Sequence, residues 1–254
     1  MSTLDAARLA AGLRENTARL ADAVAGGDPA APVPTCPQWQ LRDLVGHVGQ
    51  AHRWAAGLAR TGEVAPAPDP ADAEPGPSGE WSGWLRTGAE DLISAVADTG
   101  PETTVTTFLG PLPAVFWLRR MLHDTSVHHA DAALATGVPF VIAPDLAADA
   151  ISEGLGLMAT PGAESLKPDL AALRGRGETL HLSPTDTAEP GWLITRTPDG
   201  PRWQRADGEA AVSVSAPVRE LLLVFTRRLS PDDADAKVTG ERALLDHWLA
   251  HTAF

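Results

Sequence analysis

Residues 117–133 read WLRRMLHDTSVHHADAA and place three histidines and two aspartates in a stretch that otherwise has the composition of a helix. Asp124 and His128 are four residues apart, so on a helix they lie on one face with Cβ atoms about 5–6 Å apart. A carboxylate and an imidazole at that spacing can bind one divalent cation, although such pairs also form ordinary helix contacts. A third ligand must come from another element, and His47, in the segment DLVGH, is the best candidate.

The first half of the sequence predicts helices that could bring His47 to this pair. Residues 4–25 and Glu80–Ala97 carry apolar side chains at helical spacing. Leu41–Arg60 does the same, with His47 at the edge of its apolar stripe and His52 towards solvent. The fourth helix, Pro113–Thr136, has proline in its first turn and a glycine just past its end. Four helices with inward ligands favour an antiparallel bundle.

The pattern changes after Pro139, where short apolar runs rich in β-forming residues alternate with helical segments. The predicted strands are Glu178–Leu182, Trp192–Thr195 and Ala211–Ser215, and the predicted helices are Asp145–Met158, Val218–Arg228 and Ala243–Ala250. The region Thr103–Gly110 is also β-rich, and a proline-rich exposed loop is predicted at 61–79. We therefore predict an α+β chain with a four-helix bundle at 1–140 and a smaller α/β domain at 141–254.

Composition excludes several functional classes. A net charge of −13, from 33 acidic and 20 basic residues, repels nucleic acid and anionic lipid. No apolar run approaches the roughly 18 residues of a membrane span, and the N-terminal residues lack the pattern of a signal peptide. Cys36 is the only cysteine, so an intramolecular disulfide is impossible. We expect a cytoplasmic protein with small-molecule partners, and the oligomeric state stays open.

Two segments of the bundle resemble a known family. Residues 34–49, PTCPQWQLRDLVGHVG, and residues 117–132, WLRRMLHDTSVHHADA, are similar to the two helical signatures of the mycothiol-dependent maleylpyruvate isomerase family. Later segments, LHLSPTDTAEPGWLI, RELLLVFTRRLS and KVTGERALLDHWL, resemble its C-terminal α/β domain. The resemblance covers essentially the whole chain and implies a DinB-like metal-binding bundle. The scarcity of lysine beside arginine suggests a high-GC genome, and with the resemblance an actinobacterial source.

The resemblance assigns roles to individual residues. The metal ligands of the family fall on His47, Asp124 and His128, and zinc is the metal it implies, bound by three protein groups with one open position. This chain has aspartate at 124 where the family usually has glutamate, which shortens that ligand by one methylene. Asp131 matches a family position one turn after His128, where it could orient a ligand or bind substrate. His123 also matches a family position, but it points about 100° away from Asp124 on the helix, so packing or a place behind the ligands is expected.

The resemblance also implies a functional residue in the C-terminal domain. At one position of the bundle, this chain departs from the residue that the family usually has. Arg228, rather than its neighbour Arg227, matches the arginine that assists the family's reaction, and it could hold a substrate carboxylate. An equally good alternative is that two arginines at the end of a helix stabilise its dipole. His129 replaces the usual arginine, which puts any anion contact there in doubt. Cys36 is expected to be a small buried residue, since the thiol comes from the cofactor.

The function implied is that of a metal-dependent isomerase or S-transferase that uses mycothiol, a low-molecular-weight thiol, on a small electrophilic substrate. The metal would hold the thiol sulfur as a thiolate, because bound cations lower the pKa of coordinated nucleophiles. The alternatives are a non-catalytic member that binds a metal or ligand, and a metal-dependent hydrolase with water in the open position.

Overall fold

A computed structural model of the chain describes residues 4–63 and 65–252. Val64, in the predicted loop, and the outermost residues of both predicted domains lie outside the described residues. The chain divides into two compact units, the first ending at Ile142 and the second beginning at Ala143. None of the described helices combines the length and apolar character that a membrane span requires.

The first unit is an antiparallel four-helix bundle, as predicted. Helices α1 and α2 each pack against both α3 and α4. The antiparallel course of α2 and α4 follows from their contacts, since His47 lies near His128 while Trp54, two turns later, contacts Trp117. The helices are α1 (Ala6–Val24), α2 (Leu41–Thr61), α3 (Trp81–Thr99) and α4 (Val115–Thr136).

Local sequence sets the limits of α2, the helix that carries His47. The Asp43 carboxylate accepts the backbone N–H of Gln40 at 2.9 Å, which satisfies one of the donors left open at a helix start. Gly62 ends the helix in the left-handed conformation, at φ 68°, which glycine adopts at little cost. The ends of α2 are therefore those that the sequence predicts to within a residue.

Glycines in α2 allow close packing on both sides of the helix. A Cβ on Gly49 would lie 2.0 Å from Trp84 Nε1 on α3, and a Cβ on Gly46 would lie 2.8 Å from Ala73 Cβ in the following loop. Both positions therefore need glycine for the observed approach. The loop itself contains short 3₁₀ turns at Pro70–Asp72 and Ser78–Glu80.

The prediction that His52 faces solvent is wrong. Its side chain is 1% exposed, and Nε2 lies 2.7 Å from Thr125 Oγ1 on α4. The apolar stripe of α2 predicted one buried face, whereas the helix packs against both α3 and α4. A polar partner across the bundle therefore makes the burial of this histidine tolerable.

The connection before α4 also differs from the prediction. Strands β1 (Thr104–Thr107) and β2 (Gly110–Pro113) form an antiparallel hairpin in which Thr104 pairs with Pro113. Pro113 therefore ends a strand instead of beginning the fourth helix, which starts at Val115. The β-rich composition predicted the first strand, but β2 is too short and proline-rich to be recognised.

The second unit is built on a five-stranded sheet in the order β5-β4-β3-β6-β7. The β3–β6 pair is parallel, and the other neighbours are antiparallel. Its helices include α5, α7 and α8, close to their predicted bounds, whereas β5 and β7 were not predicted. The elements are α5 (Pro144–Met158), α6 (Ala163–Leu166), β3 (Thr179–Pro184), β4 (Trp192–Thr197), β5 (Gly200–Arg205), β6 (Val212–Ala216), α7 (Val218–Phe225), β7 (Lys237–Gly240) and α8 (Arg242–His251).

The core of this unit lies between the sheet and its helices. Trp192 on β4 is fully buried and donates its Nε1–H to Ser152 Oγ on α5 at 2.9 Å. Gly154 gives Phe225 room, because a Cβ there would lie 2.7 Å from the ring. A helical bundle followed by a smaller sheet-containing unit confirms the predicted α+β fold.

Candidate metal centre

The structure brings together the three side chains that the sequence proposes as ligands. Asp124 Oδ2 lies 3.8 Å from His47 Nε2 and 3.9 Å from His128 Nε2, and the three ligand atoms all lie within 4.8 Å of one another. Nitrogen and oxygen ligands about 2.0–2.2 Å from a tetrahedral zinc ion are about 3.4 Å apart. The two distances to Asp124 exceed this spacing by about 0.4–0.5 Å, which small side-chain movements can close. The ligand types and their proximity therefore fit a divalent cation.

Trp39 holds the two imidazoles in place from the segment before α2. Its ring centroid lies 4.8 Å from that of His47 and 5.5 Å from that of His128, and the imidazoles are themselves 5.0 Å apart. His47 comes from the second turn of α2, whereas His128 comes from the middle of α4. One indole therefore packs against ligands from two different helices.

Asp131 fixes the orientation of His128. His128 Nδ1 lies 2.8 Å from Asp131 Oδ2, and the carboxylate is fully buried. Its other oxygen accepts the hydroxyl of Thr35 at 2.5 Å. Since an ionised carboxylate only accepts hydrogen bonds, the imidazole proton lies on Nδ1. His128 therefore presents the lone pair of Nε2 towards His47 and Asp124, as metal-ligating histidines do.

Electrostatics favour the ligand forms of His47 and Asp124. Burial lowers the pKa of His47 despite the opposing charge of Asp124, which favours a neutral imidazole. For Asp124, burial acts to raise the pKa, but the charge interactions with His128 and Arg120 outweigh it and the pKa is lowered. Arg120 Nη2 lies 3.6 Å from Oδ1, while Oδ2 faces the two histidines. This ion pair therefore leaves one carboxylate oxygen directed at the candidate site.

The other predicted site residues have different surroundings. His123 is 2% exposed and lies outside the ligand group, in keeping with its position one residue from Asp124 on the helix. Arg228, in the second unit, is 8% exposed and donates Nη1–H to the Thr226 carbonyl at 2.8 Å. Arg227 beside it adopts the left-handed conformation at φ 62°. The assignment of a catalytic role to Arg228 stays a prediction.

Several residues near the site were missed or misjudged at the sequence level. Thr35 was not singled out, and for Trp39, the tryptophan of the first helical signature, the resemblance implies only a core anchor just before α2. Cys36 is half-buried rather than buried, and its Sγ lies 3.8 Å from Asp131 Oδ2. All three residues lie in the PTCPQW segment just before α2. The closeness of this segment to His47 in the sequence was the one feature that could have indicated a place near the site.

Comparisons with known proteins agree with this architecture. A family model described as the mycothiol maleylpyruvate isomerase N-terminal domain matches residues 10–133, and the corresponding C-terminal domain model matches residues 145–247. Among curated proteins, no sequence matches the chain.

Two solved structures share the fold of the whole chain. They are a mycothiol-dependent maleylpyruvate isomerase, at a TM-score of 0.60, and a histidine-to-alanine mutant of that isomerase, at 0.59. Each is 18% identical to this chain, and the match covers 95% of this chain and 97% of the other. At this identity the likeness concerns the fold.

Proposed function

Because the chain belongs to the mycothiol maleylpyruvate isomerase family, we propose that it is a metal-dependent enzyme that uses mycothiol, or a related low-molecular-weight thiol, as a nucleophile. Its reaction would be isomerisation of, or S-transfer to, a small electrophilic substrate. The observation that carries the proposal is the convergence of His47, Asp124 and His128 from two helices. Zinc is the metal that the family resemblance implies, and two nitrogens and one oxygen with an open position are a ligand set that catalytic zinc accepts.

A cation bound by these residues would supply Lewis acidity, which keeps a coordinated thiol sulfur as a thiolate near neutral pH. The residues of the chain would do the rest. Asp131 keeps His128 in one tautomer, Arg120 holds Asp124 by its outer oxygen, and burial keeps His47 neutral. Trp39 packs on both imidazoles and restricts their movement. Less side-chain entropy would therefore be lost when an ion binds.

The proposal also includes Arg228, on the basis of the family resemblance. A guanidinium binds a carboxylate through two parallel hydrogen bonds, which lysine cannot reproduce. Substrates with a carboxylate next to an electrophilic carbon would use such a group for orientation. Arg228→Lys should therefore raise KM for a carboxylate-bearing substrate more than for an uncharged electrophile.

Metal analysis joined to a thiol-dependent turnover assay tests the proposal. Protein purified without added metal should contain a stoichiometric divalent ion. Only with mycothiol present should it isomerise a maleyl-type electrophile, with no net loss of thiol, or open an epoxide with consumption of one thiol per product. His47→Ala should lose both properties, whereas His251→Ala, which alters a histidine in α8, should retain them. Bound metal without turnover of either electrophile would favour a non-catalytic member of the family, and turnover that needs no thiol would favour a hydrolase.

A further inference from the structure

We propose that Cys36, His128 and Asp131 form a second metal position, which takes a thiophilic divalent cation such as Cd²⁺ or Zn²⁺ on the Nδ1 side of the His128 ring. The proposal concerns a different ligand set from His47, Asp124 and His128, and it does not depend on the proposed enzymatic activity. The two positions share one residue, His128.

The three side chains already lie at distances close to those of a bound ion. Asp131 Oδ2 is 3.8 Å from Cys36 Sγ and 2.8 Å from His128 Nδ1, and one ligand atom from each residue lies within 4.8 Å of the others. Sulfur, nitrogen and oxygen ligands of tetrahedral zinc, at about 2.3, 2.0 and 2.1 Å, lie about 3.3–3.6 Å apart. The observed distances fall on either side of that range.

The charges balance for a divalent cation. Binding releases the thiol proton of Cys36, so the thiolate and the Asp131 carboxylate together neutralise two positive charges. Asp131 would bind through Oδ2, since Thr35 holds Oδ1 at 2.5 Å. Cys36 is half-buried, which gives an ion a path to the otherwise enclosed carboxylate. A sulfur ligand selects zinc, cadmium or cobalt over magnesium and manganese.

Occupation of the two positions is mutually exclusive at His128. A neutral imidazole has one bare nitrogen, and the other carries the proton. The position with His47 and Asp124 requires a bare Nε2, whereas the position with Cys36 requires a bare Nδ1 and moves the proton to Nε2. A soft cation on Cys36 would therefore replace the hydrogen bond between Asp131 and His128 and remove His128 from the first set of ligands.

Cobalt absorption can distinguish the two positions. Thiolate ligation of Co²⁺ gives a near-ultraviolet charge-transfer band, which nitrogen and oxygen ligands do not give. Because Cys36 is the only cysteine in the chain, such a band can come from no other residue. The protein is first stripped of metal with a chelator and then titrated with Co²⁺, with Cd²⁺ titrations in parallel.

We expect His47→Ala to retain the charge-transfer band and Cys36→Ser to lose it while still binding Co²⁺ through His47, Asp124 and His128. Cys36→Ala serves as a second variant, and thermal melting of each metal-free variant verifies folding. The proposal is overturned if His47→Ala shows no band at saturating Co²⁺, or if the band persists in both cysteine variants. The spectra report only which side chains bind the ion. A protein without the proposed enzymatic activity would therefore contradict the proposed function and not this second metal position.

Discussion

Asp131 Oδ2 lies 2.8 Å from His128 Nδ1, so a fully buried carboxylate determines which nitrogen of a candidate ligand faces the site. The same carboxylate accepts the Thr35 hydroxyl, in the segment that leads into α2. The orientation of a ligand on α4 is thereby linked to the segment that precedes His47. This relationship makes Asp131 the first residue to test after the ligands themselves.

Asp131→Asn should weaken binding at the position with His47 and Asp124. The amide is a poorer acceptor than a carboxylate, so His128 loses both orientation and basicity, and losses of this kind are about 10–100-fold in metal affinity. Competition with a chromophoric chelator measures the change, in a Cys36→Ser background so that only this position is reported. Thr35→Val is the matched control, since it removes a donor to Asp131 without touching His128, and an equal loss in the control would contradict the prediction.

Substitutions at Asp124 should separate ligand chemistry from ligand length. Asp124→Asn removes the negative charge and should reduce zinc affinity by about tenfold or more, about 1.4 kcal/mol. Asp124→Glu keeps the charge and reaches one methylene further, so it should bind zinc at least as tightly, since the present oxygen lies 3.8–3.9 Å from both imidazole nitrogens. Isothermal titration calorimetry of both variants measures their zinc affinities. A lower affinity for Asp124→Glu than for Asp124→Asn would contradict the prediction.

Stability should fall in mild acid because of His52. Burial lowers its pKa to about 4, whereas an unfolded histidine titrates near 6.5. Between these values the unfolded chain binds a proton that the folded chain does not. The free energy of unfolding therefore decreases as the pH falls from about 6.5 to 4, by up to about 1.4 kcal/mol per pH unit, and the contribution is fully present above that range.

Urea unfolding across about pH 4.5–7.5 measures this slope. His52→Gln removes the titrating group and should give a shallower pH dependence, whatever its effect on stability at neutral pH. His251→Ala controls for the loss of a histidine that lies outside the bundle. Parallel slopes in wild type and His52→Gln would show that another group is responsible.

The close contact of α2 with α3 predicts a difference between two glycines of the same helix. Gly49→Ala places a methyl group 2.0 Å from Trp84 Nε1, so it should destabilise the bundle by about 1–3 kcal/mol. Gly57→Ala meets nothing within 4 Å and should stabilise the helix by roughly 0.5–1 kcal/mol. Chemical denaturation of the two variants provides the comparison, and a Gly49→Ala variant as stable as the wild type would contradict the close approach of Trp84 to α2.

The sequence predicted the helices of the bundle and proposed a ligand set whose side chains lie together in the structure, but it did not predict the contacts between elements. Spacing places Asp124 and His128 on one face, and the apolar stripe of α2 places His47 beside a neighbouring helix, so the site could be proposed. The burial of His52 depends on Thr125, which lies 73 positions away in the chain, and no single-helix pattern contains that information.

The strands show the same limit. Periodicity identified β3 and β4 because their alternating apolar residues face the core. By contrast, β5 contains Pro201, Arg202 and Gln204, and its place in the sheet comes from pairing with β4. Edge strands such as β5 and β7 are defined by their neighbours, so a local pattern cannot find them.

The glycines at 46 and 49 have a consequence for metal choice. The loop and the Trp84 indole reach the backbone of α2 on either side of the turn that bears His47, and the Arg53 guanidinium lies 3.8 Å above that indole. A helix packed closely on both sides resists sliding or rotation, so the backbone beside His47 should stay in place when an ion binds. Ca²⁺, which takes six or more oxygen ligands at about 2.3–2.6 Å, should therefore bind poorly, because two of the three ligands are imidazole nitrogens and a fixed α2 cannot bring further oxygen atoms closer.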